Sequence, residues 1–190
     1  MCGRYSLFTD ENSREILQIV QEVGSRHPAM KTGEIFPTNT APILRQEGQA
    51  IHADAAIWGF PPFGQKGGVL INARAETAFE KIRFRESLLS RRCVVPSTGF
   101  YEWSRDASRQ KYRFLLPNSR ALYMAGIYTE YKGEKRFVIL TTEGNASVRD
   151  IHPRMPVVLR TDQIEEWIKN PEKTAALLQG RQPALERRPA

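Results

Sequence analysis

The feature of this sequence that most constrains its fold is a series of short apolar runs of strand-like composition, separated by turn residues and by few helical segments. Strands that follow one another in this way favour a single α+β domain built mainly of antiparallel sheet. Residues 131–134, Tyr-Lys-Gly-Glu, predict a hairpin turn between the last two strands. The predicted strands cover residues 1–8, 41–44, 55–58, 69–72, 93–96 running on to 100–103, 112–116, 122–128 and 136–142.

Helices are expected before, within and after this series. Each is marked by a capping residue, by helical spacing of apolar residues or by a terminal glycine. The predicted helices cover residues 10–24 with Asp10 as cap and Gly24 as end, 76–89, a short segment capped by Asn145, 162–167, and 172–179 before Gly180. We therefore expect the helices to lie at the periphery of the sheet.

The size of the chain predicts one domain over residues 1–190. Its 190 residues, 41% of them hydrophobic, suffice to bury a core without metals or disulfides. Residues 1–12 lack the basic head and apolar run of a signal peptide, and no stretch approaches the roughly 18 apolar residues of a membrane span. We expect a cytoplasmic protein that is monomeric and has no membrane partner.

Charge and cysteine usage narrow the choice of partner. The net charge of +7 favours polyanions, because each neutralised phosphate releases a counterion, although charge alone does not require nucleic acid. The two cysteines, Cys2 and Cys93, and the three scattered histidines show no zinc-ligand spacing, so we expect no metal and no other cofactor. Cys93 stands in an apolar run and is expected to be structural.

Cys2 directly follows the initiator Met1, and a small second residue permits removal of Met1. Removal leaves a 1,2-aminothiol whose α-amine, with a pKa of about 7.7–8.0, is partly uncharged at neutral pH. The amine can condense with an aldehyde to an imine, and the thiol can then close a thiazolidine ring. We expect nearby Arg4 to favour the thiolate. Two alternatives stay open: Cys2 as the nucleophile of an N-terminal hydrolase, or as a small residue that only permits processing.

Polar residues in the apolar segment 70–77 are further candidates. Asn72 follows two apolar residues, where its amide can orient a substrate or hold an oxyanion. The alternative is a cap for the following helix. Arg74, two residues on, is a natural phosphate ligand.

Two more segments carry candidate acid–base groups. Glu102 lies between two aromatic residues, where a raised pKa would suit proton transfer near neutrality; alternatively it lies on the wet face of an edge strand. His152 and Arg154 alternate with prolines in the segment 151–156, which suits a preset loop. His152 can act as an acid or base or be structural, and Arg154 can contact DNA or form an internal salt bridge.

Together these segments resemble the SOS-response-associated peptidase (SRAP) family. Each piece alone is weak, but the set, in family order over residues 1 to about 168, is specific. The resemblance implies a twisted antiparallel sheet or open barrel with peripheral helices around a basic cleft, and it leaves the tail 181–190 outside the family pattern. The shared pieces are MCGRY at 1–5, NTAP at 39–42, WG at 58–59, INARAET at 71–77, RCVVP at 92–96, GFYEW at 99–103 and IHPRMP at 151–156.

The resemblance implies a sensor of abasic sites in single-stranded DNA that shields the lesion. Cys2 would form a thiazolidine with the ring-opened deoxyribose. Asn72 would position Cys2 and the sugar, Glu102 would assist proton transfer, and His152 would do acid–base work on the sugar and its 3′ phosphate. An imine intermediate would permit lyase activity, and the family name implies a peptidase that removes Met1.

The DNA contacts follow from the same resemblance. Arg4 and Arg74 match arginines that contact phosphates. The loop after Gly59 lacks the Trp that many family members carry there, so Phe63 is the candidate for stacking on a base. The full predicted set is Arg4, Arg74, Trp58, Phe63 and Arg154.

Two other classes of function compete with this interpretation. An N-terminal-nucleophile peptidase acting on polypeptide would also need Cys2 but would turn over peptides without DNA. A non-covalent single-strand binding module would use the arginine surplus, and its salt-sensitive binding would be indifferent to Cys2.

Overall fold

The computed structural model describes residues 2–9, 13–62 and 67–190. Within them, no helix is both long and apolar enough to cross a membrane. The helices are α1 (Arg14–Arg26), α2 (Ile82–Ser90), α3 (Ile164–Lys169) and α4 (Thr174–Gln179). The strands are β1 (Tyr5–Leu7), β2 (Gly33–Ile35), β3 (Thr40–Glu47), β4 (Ala50–Trp58), β5 (Asn72–Arg74), β6 (Arg92–Ser97), β7 (Gly99–Trp103), β8 (Lys111–Leu115), β9 (Leu122–Tyr131), β10 (Glu134–Glu143), β11 (Arg154–Pro156), β12 (Val158–Leu159) and β13 (Glu186–Pro189).

Five strands close into a barrel. Strand β3 pairs with β4 and β6, β6 pairs with β9, β9 pairs with β10, and β10 returns to β4. The first four pairings are antiparallel, and β10 with β4 is parallel. The predicted α+β class, mainly antiparallel with peripheral helices, is confirmed. The ring is closed rather than open, because a parallel pairing between strands distant in sequence completes it.

A second sheet packs beside the barrel, with the strand order β13-β8-β7-β1-β2. Its pairings are all antiparallel. Buried side chains of both sheets form one core; the rings of Tyr5 on β1 and Trp58 on β4 lie 5.1 Å apart. Each large apolar side chain buried there stabilises the fold by about 1.5–3 kcal/mol. This core holds β1, and with it Cys2, against the barrel.

The predicted strand from 93–96 running on to 100–103 is in fact two strands in different sheets. Strand β6 ends at Ser97 in the barrel, and β7 begins at Gly99 in the second sheet. Gly99 has a φ of +146°, and a Cβ there would lie 2.6 Å from the carbonyl oxygen of Phe114. Only glycine fits this bend. The bend carries Glu102 out of the barrel and into the second sheet.

Two predicted helices differ in their bounds. Helix α1 continues past Gly24 to Arg26, because Gly24 does not adopt the positive φ that ends a helix at glycine. Its predicted cap, Asp10, lies outside the described residues. The segment predicted as helix 76–89 begins with turns, and the helix starts only at Ile82.

Of the other local predictions, one is confirmed and two differ from the structure. The hairpin turn between β9 and β10 is confirmed, with positive φ at Lys132 and Gly133. The strand predicted at 69–72 is displaced to β5, and Leu70 only forms a bridge with Phe60. Asn145 caps a turn instead of a helix, since its Oδ1 accepts from the backbone of Ser147 at 3.0 Å.

The C-terminal segments add two short helices and the edge strand of the second sheet. Helices α3 and α4 confirm the predictions near 162–167 and 172–179, each preceded by a short 3₁₀ turn. Within the tail 181–190, residues 186–189 form β13, which pairs with β8 at the edge of the second sheet. The edge strand of this sheet is therefore supplied by the last residues of the chain.

Candidate active site

Four of the predicted site residues lie close together where the two sheets meet. Cys2 precedes β1, and Glu102 lies on β7, so both belong to the second sheet. Asn72 begins β5, and His152 lies two residues before β11. Strands β5 and β11 both pair with β10 of the barrel. Each sheet therefore contributes two of the four residues.

Asn72 holds the backbone of Cys2. Its Nδ2 donates to the carbonyl oxygen of Cys2 at 2.9 Å, and its parallel pairing with Ile139 fixes its position. Asn72 begins a strand, so the helix-cap alternative is wrong. Its Oδ1 is buried and has no hydrogen-bond partner among the described residues. An acceptor held in this way can take a hydrogen bond from a substrate hydroxyl or amine.

The thiol of Cys2 is fully buried, and it donates to the carbonyl oxygen of Arg4 at 3.6 Å. Burial raises the pKa of this thiol well above its usual range, and the nearby carboxyl of Glu102 raises it further. The expected thiolate is disfavoured, because burial outweighs the lowering of the thiol pKa by the backbone of Arg4, whose guanidinium pairs with Glu34 at 3.3 Å. A reaction at Sγ therefore needs a base that takes its proton.

Glu102 and His152 form a pair beside this thiol. Nδ1 of His152 lies 3.9 Å from Oε1 of Glu102, and their side chains are 15% and 6% exposed. The alternative of a Glu on the wet face of an edge strand is therefore wrong. Burial raises the pKa of Glu102 and lowers the pKa of His152. Both shifts favour the neutral forms, a carboxylic acid that can donate a proton and an imidazole that can accept one.

The backbone of Arg154 orients the imidazole. Its N–H lies 3.0 Å from Nδ1 of His152, and its carbonyl oxygen lies at the same distance. A neutral ring can accept at Nδ1 and carry its proton at Nε2, whereas a protonated ring can donate from Nδ1 to the carbonyl. A Cβ on Gly144 would lie 2.8 Å from the carbonyl oxygen of His152, so glycine allows the loop before β11 to approach β10.

The predicted DNA-contacting arginines differ in their surroundings. Arg74 is exposed at the end of β5, and no ion pair of Arg74 is found within the described part of the chain. Arg154 instead holds the carboxylate of Glu76 through two hydrogen bonds of 2.8 Å. The internal salt bridge is therefore the role of Arg154 seen here. Nothing in the sequence pattern identified Glu76 as its partner, because the pair spans 78 residues.

Trp58 does not present a surface to DNA. Its side chain is fully buried, and its Nε1 donates to the carbonyl oxygen of Ile71 at 2.9 Å. The prediction of a DNA contact is wrong for Trp58, which instead ties β4 to the segment entering Asn72. The predicted stacking residue Phe63 lies outside the described residues. Cys93 is buried and, like Cys2, is a free thiol.

Sequence reasoning missed the surroundings of Arg4. Its guanidinium lies 4.1 Å from the ring centre of Phe36 and 5.1 Å from that of Trp103. The Glu34 carboxylate that binds Arg4 also contacts Lys111. These residues come from four strands or strand ends. The only sequence signal for their common face is the alternation of side chains along β2 and β8, which places every second residue on the same side of the sheet.

Metal ligation finds no support in residues 2–9, 13–62 and 67–190, which hold no group of three or more His, Cys, Asp or Glu side chains able to bind an ion. The chemistry available at this site is that of a thiol, an amide, a carboxyl and an imidazole. Such a set can form a covalent bond at sulfur and move protons around it.

A closed barrel packed against a second sheet, with the thiol, amide, carboxyl and imidazole where the two sheets meet, defines the class of protein. The family model described as SOS response associated peptidase (SRAP) matches residues 1–189. The chain therefore belongs to the SRAP family.

Named relatives match most of the chain. The protein is 34% identical over 189 residues to abasic site processing protein YoaM of Bacillus subtilis, which covers 92% of this chain and 82% of the relative. It is 26% identical over 179 residues to abasic site processing protein YedK of Escherichia coli, covering 89% and 80%. A crystal structure of a Bacteroides thetaiotaomicron protein has the same fold, with a TM-score of 0.79 at 25% identity, covering 98% of this chain and 90% of the other.

Proposed function

We propose that this protein recognises abasic sites in single-stranded DNA and, once Met1 is removed, links Cys2 covalently to the ring-opened deoxyribose as a thiazolidine. The observation that carries the proposal is the contact set of Cys2: Asn72 holds its carbonyl, and Glu102 lies close enough to raise the pKa of its thiol. The names of the relatives supply the substrate, and the net charge of +7 suits a polyanion.

The first step joins the amine to the aldehyde. The α-amine of Cys2 attacks C1′ of the open sugar and forms a carbinolamine. Glu102 is suited to donate a proton to the departing hydroxyl, because burial raises its pKa and favours its protonated form. Water leaves, and a protonated imine joins Cys2 to C1′.

The second step closes the ring. The carboxylate left on Glu102 takes the proton of the Cys2 thiol, and sulfur adds to the imine carbon. The electron pair of the C=N bond moves to nitrogen, which becomes the ring amine. One molecule of water has been released, and Glu102 has returned to its acid form.

His152 fits a separate role on the sugar. Because burial lowers its pKa, the imidazole is neutral near pH 7 and can take a proton from C2′ of the imine intermediate. Loss of that proton expels the 3′ phosphate by β-elimination, which is the lyase activity we propose as a side reaction. Arg74, exposed at the end of β5, is proposed to contact a phosphate.

The test is a denaturing gel of purified protein with a single-stranded oligonucleotide that carries one abasic site, without reductant. Mass spectrometry first establishes that Met1 is absent. We expect a heat-stable shifted band that is lost in Cys2→Ala and retained in the matched thiol deletion Cys93→Ala. A tag that blocks the α-amine should also abolish the band.

The same experiment separates the competing functions. A missing band with intact binding of undamaged single strands would leave a non-covalent binding module. Peptide turnover that requires Cys2 but no DNA would favour the N-terminal-nucleophile peptidase.

Removal of Met1 by the chain itself is a second candidate activity, favoured by the description of the family as a peptidase. It can be checked by expressing Cys2→Ala and Glu102→Gln and measuring the intact mass of each protein by mass spectrometry. Retention of Met1 in Glu102→Gln would by itself support self-processing, because Cys2 still follows Met1 in this variant and still admits aminopeptidases.

A further inference from the structure

Strand β13 connects the two parts of the molecule that carry His152 and Glu102. His152 lies in the loop of residues 144–153 between β10 and β11, which we call the His152 loop. Arg187 of β13 binds the carboxylate of Asp150 in this loop. Strand β13 itself pairs with β8 of the second sheet. It therefore holds the His152 loop against the sheet to which Glu102 belongs.

The guanidinium of Arg187 lies between the His152 loop and the strand residue that faces Glu102. It contacts Asp150 on one side and lies 5.4 Å from the ring centre of Tyr112 on the other. Tyr112 is directly opposite Glu102 in the pairing of β8 with β7. Residues opposite each other in antiparallel strands share one face of the sheet, with Cβ atoms about 4.5–5.5 Å apart. One side chain of β13 thus reaches the surroundings of both members of the proposed acid–base pair.

Hydrogen bonds within the His152 loop connect Asp150 to His152. Only one residue separates the two, and the carbonyl oxygen of Val148 accepts from the backbone N–H groups of Ile151 and His152 at 3.0 and 2.9 Å. Val148 and Ile151 are both buried, so this turn is anchored in the core. Because the turn is short and closed by these bonds, a displacement of Asp150 also displaces the backbone of His152.

A second contact fixes where the tail crosses the loop. The backbone N–H of buried Leu185 donates to Oγ of Ser147 at 3.0 Å. The ion pair between Arg187 and Asp150 is more open, since the two side chains are 40% and 56% exposed. An exposed pair of this kind is weak, so it can form and break without any change in the core.

We propose that Arg187, acting through Asp150, positions His152 to remove the C2′ proton and so sets how much of the imine is cut instead of closed to the thiazolidine. The inference rests on the proposed function and concerns the choice between its two products. In the net elimination, the electron pair of the C2′–H bond becomes the C2′=C3′ double bond. The C3′–O bond breaks, its electron pair leaves with the phosphate, and His152 keeps the proton. Ring closure uses Cys2 and Glu102 and does not use the imidazole.

The test measures the two products separately on a single-stranded oligonucleotide that carries one abasic site. Strand cutting is followed in a Cys2→Ser background, which keeps the α-amine and the imine but cannot close the ring. Crosslinking is followed with Cys2 present. At saturating DNA we expect Arg187→Gln to lower the ratio of the cutting rate to the crosslinking rate by about two- to fivefold, because the pair is exposed. Asp150→Asn should lower this ratio to the same extent.

A charge reversal and a neighbouring variant serve as controls. Asp150→Arg together with Arg187→Asp rebuilds the ion pair with opposite charges, so the ratio should return toward that of the wild type. Arg188 is the next residue of β13, and its ion pair is with Glu186 of the same strand at 3.2 Å. Arg188→Gln removes the same charge as Arg187→Gln and should leave the ratio unchanged.

Amide hydrogen exchange reports on the His152 loop without DNA. Residues 147–152 should exchange about two- to fivefold faster in Arg187→Gln than in the wild type, because the ion pair no longer restrains the loop. The charge reversal should restore the slower exchange, and Arg188→Gln should exchange like the wild type.

Two outcomes would overturn the proposal. One is an unchanged ratio of cutting to crosslinking in Arg187→Gln. The other is a lowered ratio that the charge reversal does not restore, which would make Arg187 a DNA contact or a structural residue only. Failure of the proposed function would look different, because the wild type would then neither crosslink nor cut. In that case, unchanged amide exchange in Arg187→Gln would still overturn the inference about the loop.

Discussion

The two cysteines of this chain are buried to the same degree but differ in what surrounds them. Both are fully inaccessible to solvent, and burial raises the pKa of each thiol. Around Cys93 the backbone is satisfied, since its carbonyl accepts from Nε1 of Trp167 at 2.8 Å. A Cβ on Gly126 would lie only 3.1 Å from its Sγ, so the thiol is closely packed.

Around Cys2 the neighbours are groups that can exchange protons. Glu102 raises the pKa of its thiol, and the Oδ1 of Asn72 is a buried acceptor without a partner among the described residues. Burial alone therefore does not distinguish an inert thiol from a candidate nucleophile. The distinction comes from the polar groups within reach, and the following substitutions test it.

The largest effect is expected from replacing each thiol by a hydroxyl. Cys2→Ser keeps the α-amine but loses sulfur, so we expect no heat-stable crosslink and a residual imine that only borohydride traps. Cys93→Ser should crosslink like the wild type wherever it is folded, although a hydroxyl buried in an apolar site costs about 1–3 kcal/mol of stability. Equal loss of crosslinking in Cys2→Ser and Cys93→Ser would contradict the distinction between a candidate nucleophile and an inert thiol.

Replacing the carboxyl beside Cys2 should have the next largest effect. Glu102→Gln cannot donate or accept the proton, so crosslinking should slow by about 10²–10⁴-fold. The acid form of Glu102 predominates below its raised pKa, so the wild-type rate should fall as pH rises through that pKa. Stopped-time gels over a pH series should show that Glu102→Gln lacks this falling limb. The exposed Glu165→Gln serves as the control.

Removing the amide that holds Cys2 should have a smaller effect. Asn72→Ala loses the 2.9 Å hydrogen bond to the Cys2 carbonyl, worth roughly 1–3 kcal/mol in a buried setting, or about 5- to 150-fold in rate. Asn145→Ala is its match, because Asn145 also donates to a backbone carbonyl, that of Pro183, at 2.7 Å. We expect Asn145→Ala to lower the melting temperature without slowing crosslinking.

The smallest effect is expected at the closely packed thiol. Cys93→Ala removes one buried sulfur and should lower the free energy of unfolding by about 1–2 kcal/mol in urea titrations. Crosslinking at a temperature well below the transition should be unchanged. A slower reaction in the fully folded variant would contradict the purely structural role of Cys93.

How much the sequence could predict depends on how local each feature is. The hairpin at Lys132 and Gly133 was predictable because its turn residues are adjacent. The bend at Gly99 was not, since it depends on the carbonyl of Phe114 in a neighbouring strand. The parallel pairing that places Asn72 beside β10 likewise cannot be predicted from the spacing of apolar residues.

The same limit applies to the site. The resemblance named Cys2, Asn72, Glu102 and His152 together, and the structure brings them together; their catalytic roles stay predictions. The Glu34 partner of Arg4 was not predictable, because this carboxylate lies on β2, 30 residues away. Trp58 was misjudged because the side chains that enclose it come from other strands.

Strand β10 pairs with β4, β5, β9 and β11. Opening β5 or β11 would therefore break pairings with a strand that also closes the barrel. In terms of amide hydrogen exchange, we expect the Asn72 and His152 side of the site to exchange slowly, because it is paired with a strand of the closed barrel. Cys2 and Glu102 are held by the other sheet, none of whose strands pairs with a barrel strand among the described residues. Any local opening that admits DNA should therefore move the nucleophile and its carboxyl, while the amide and the imidazole stay in place.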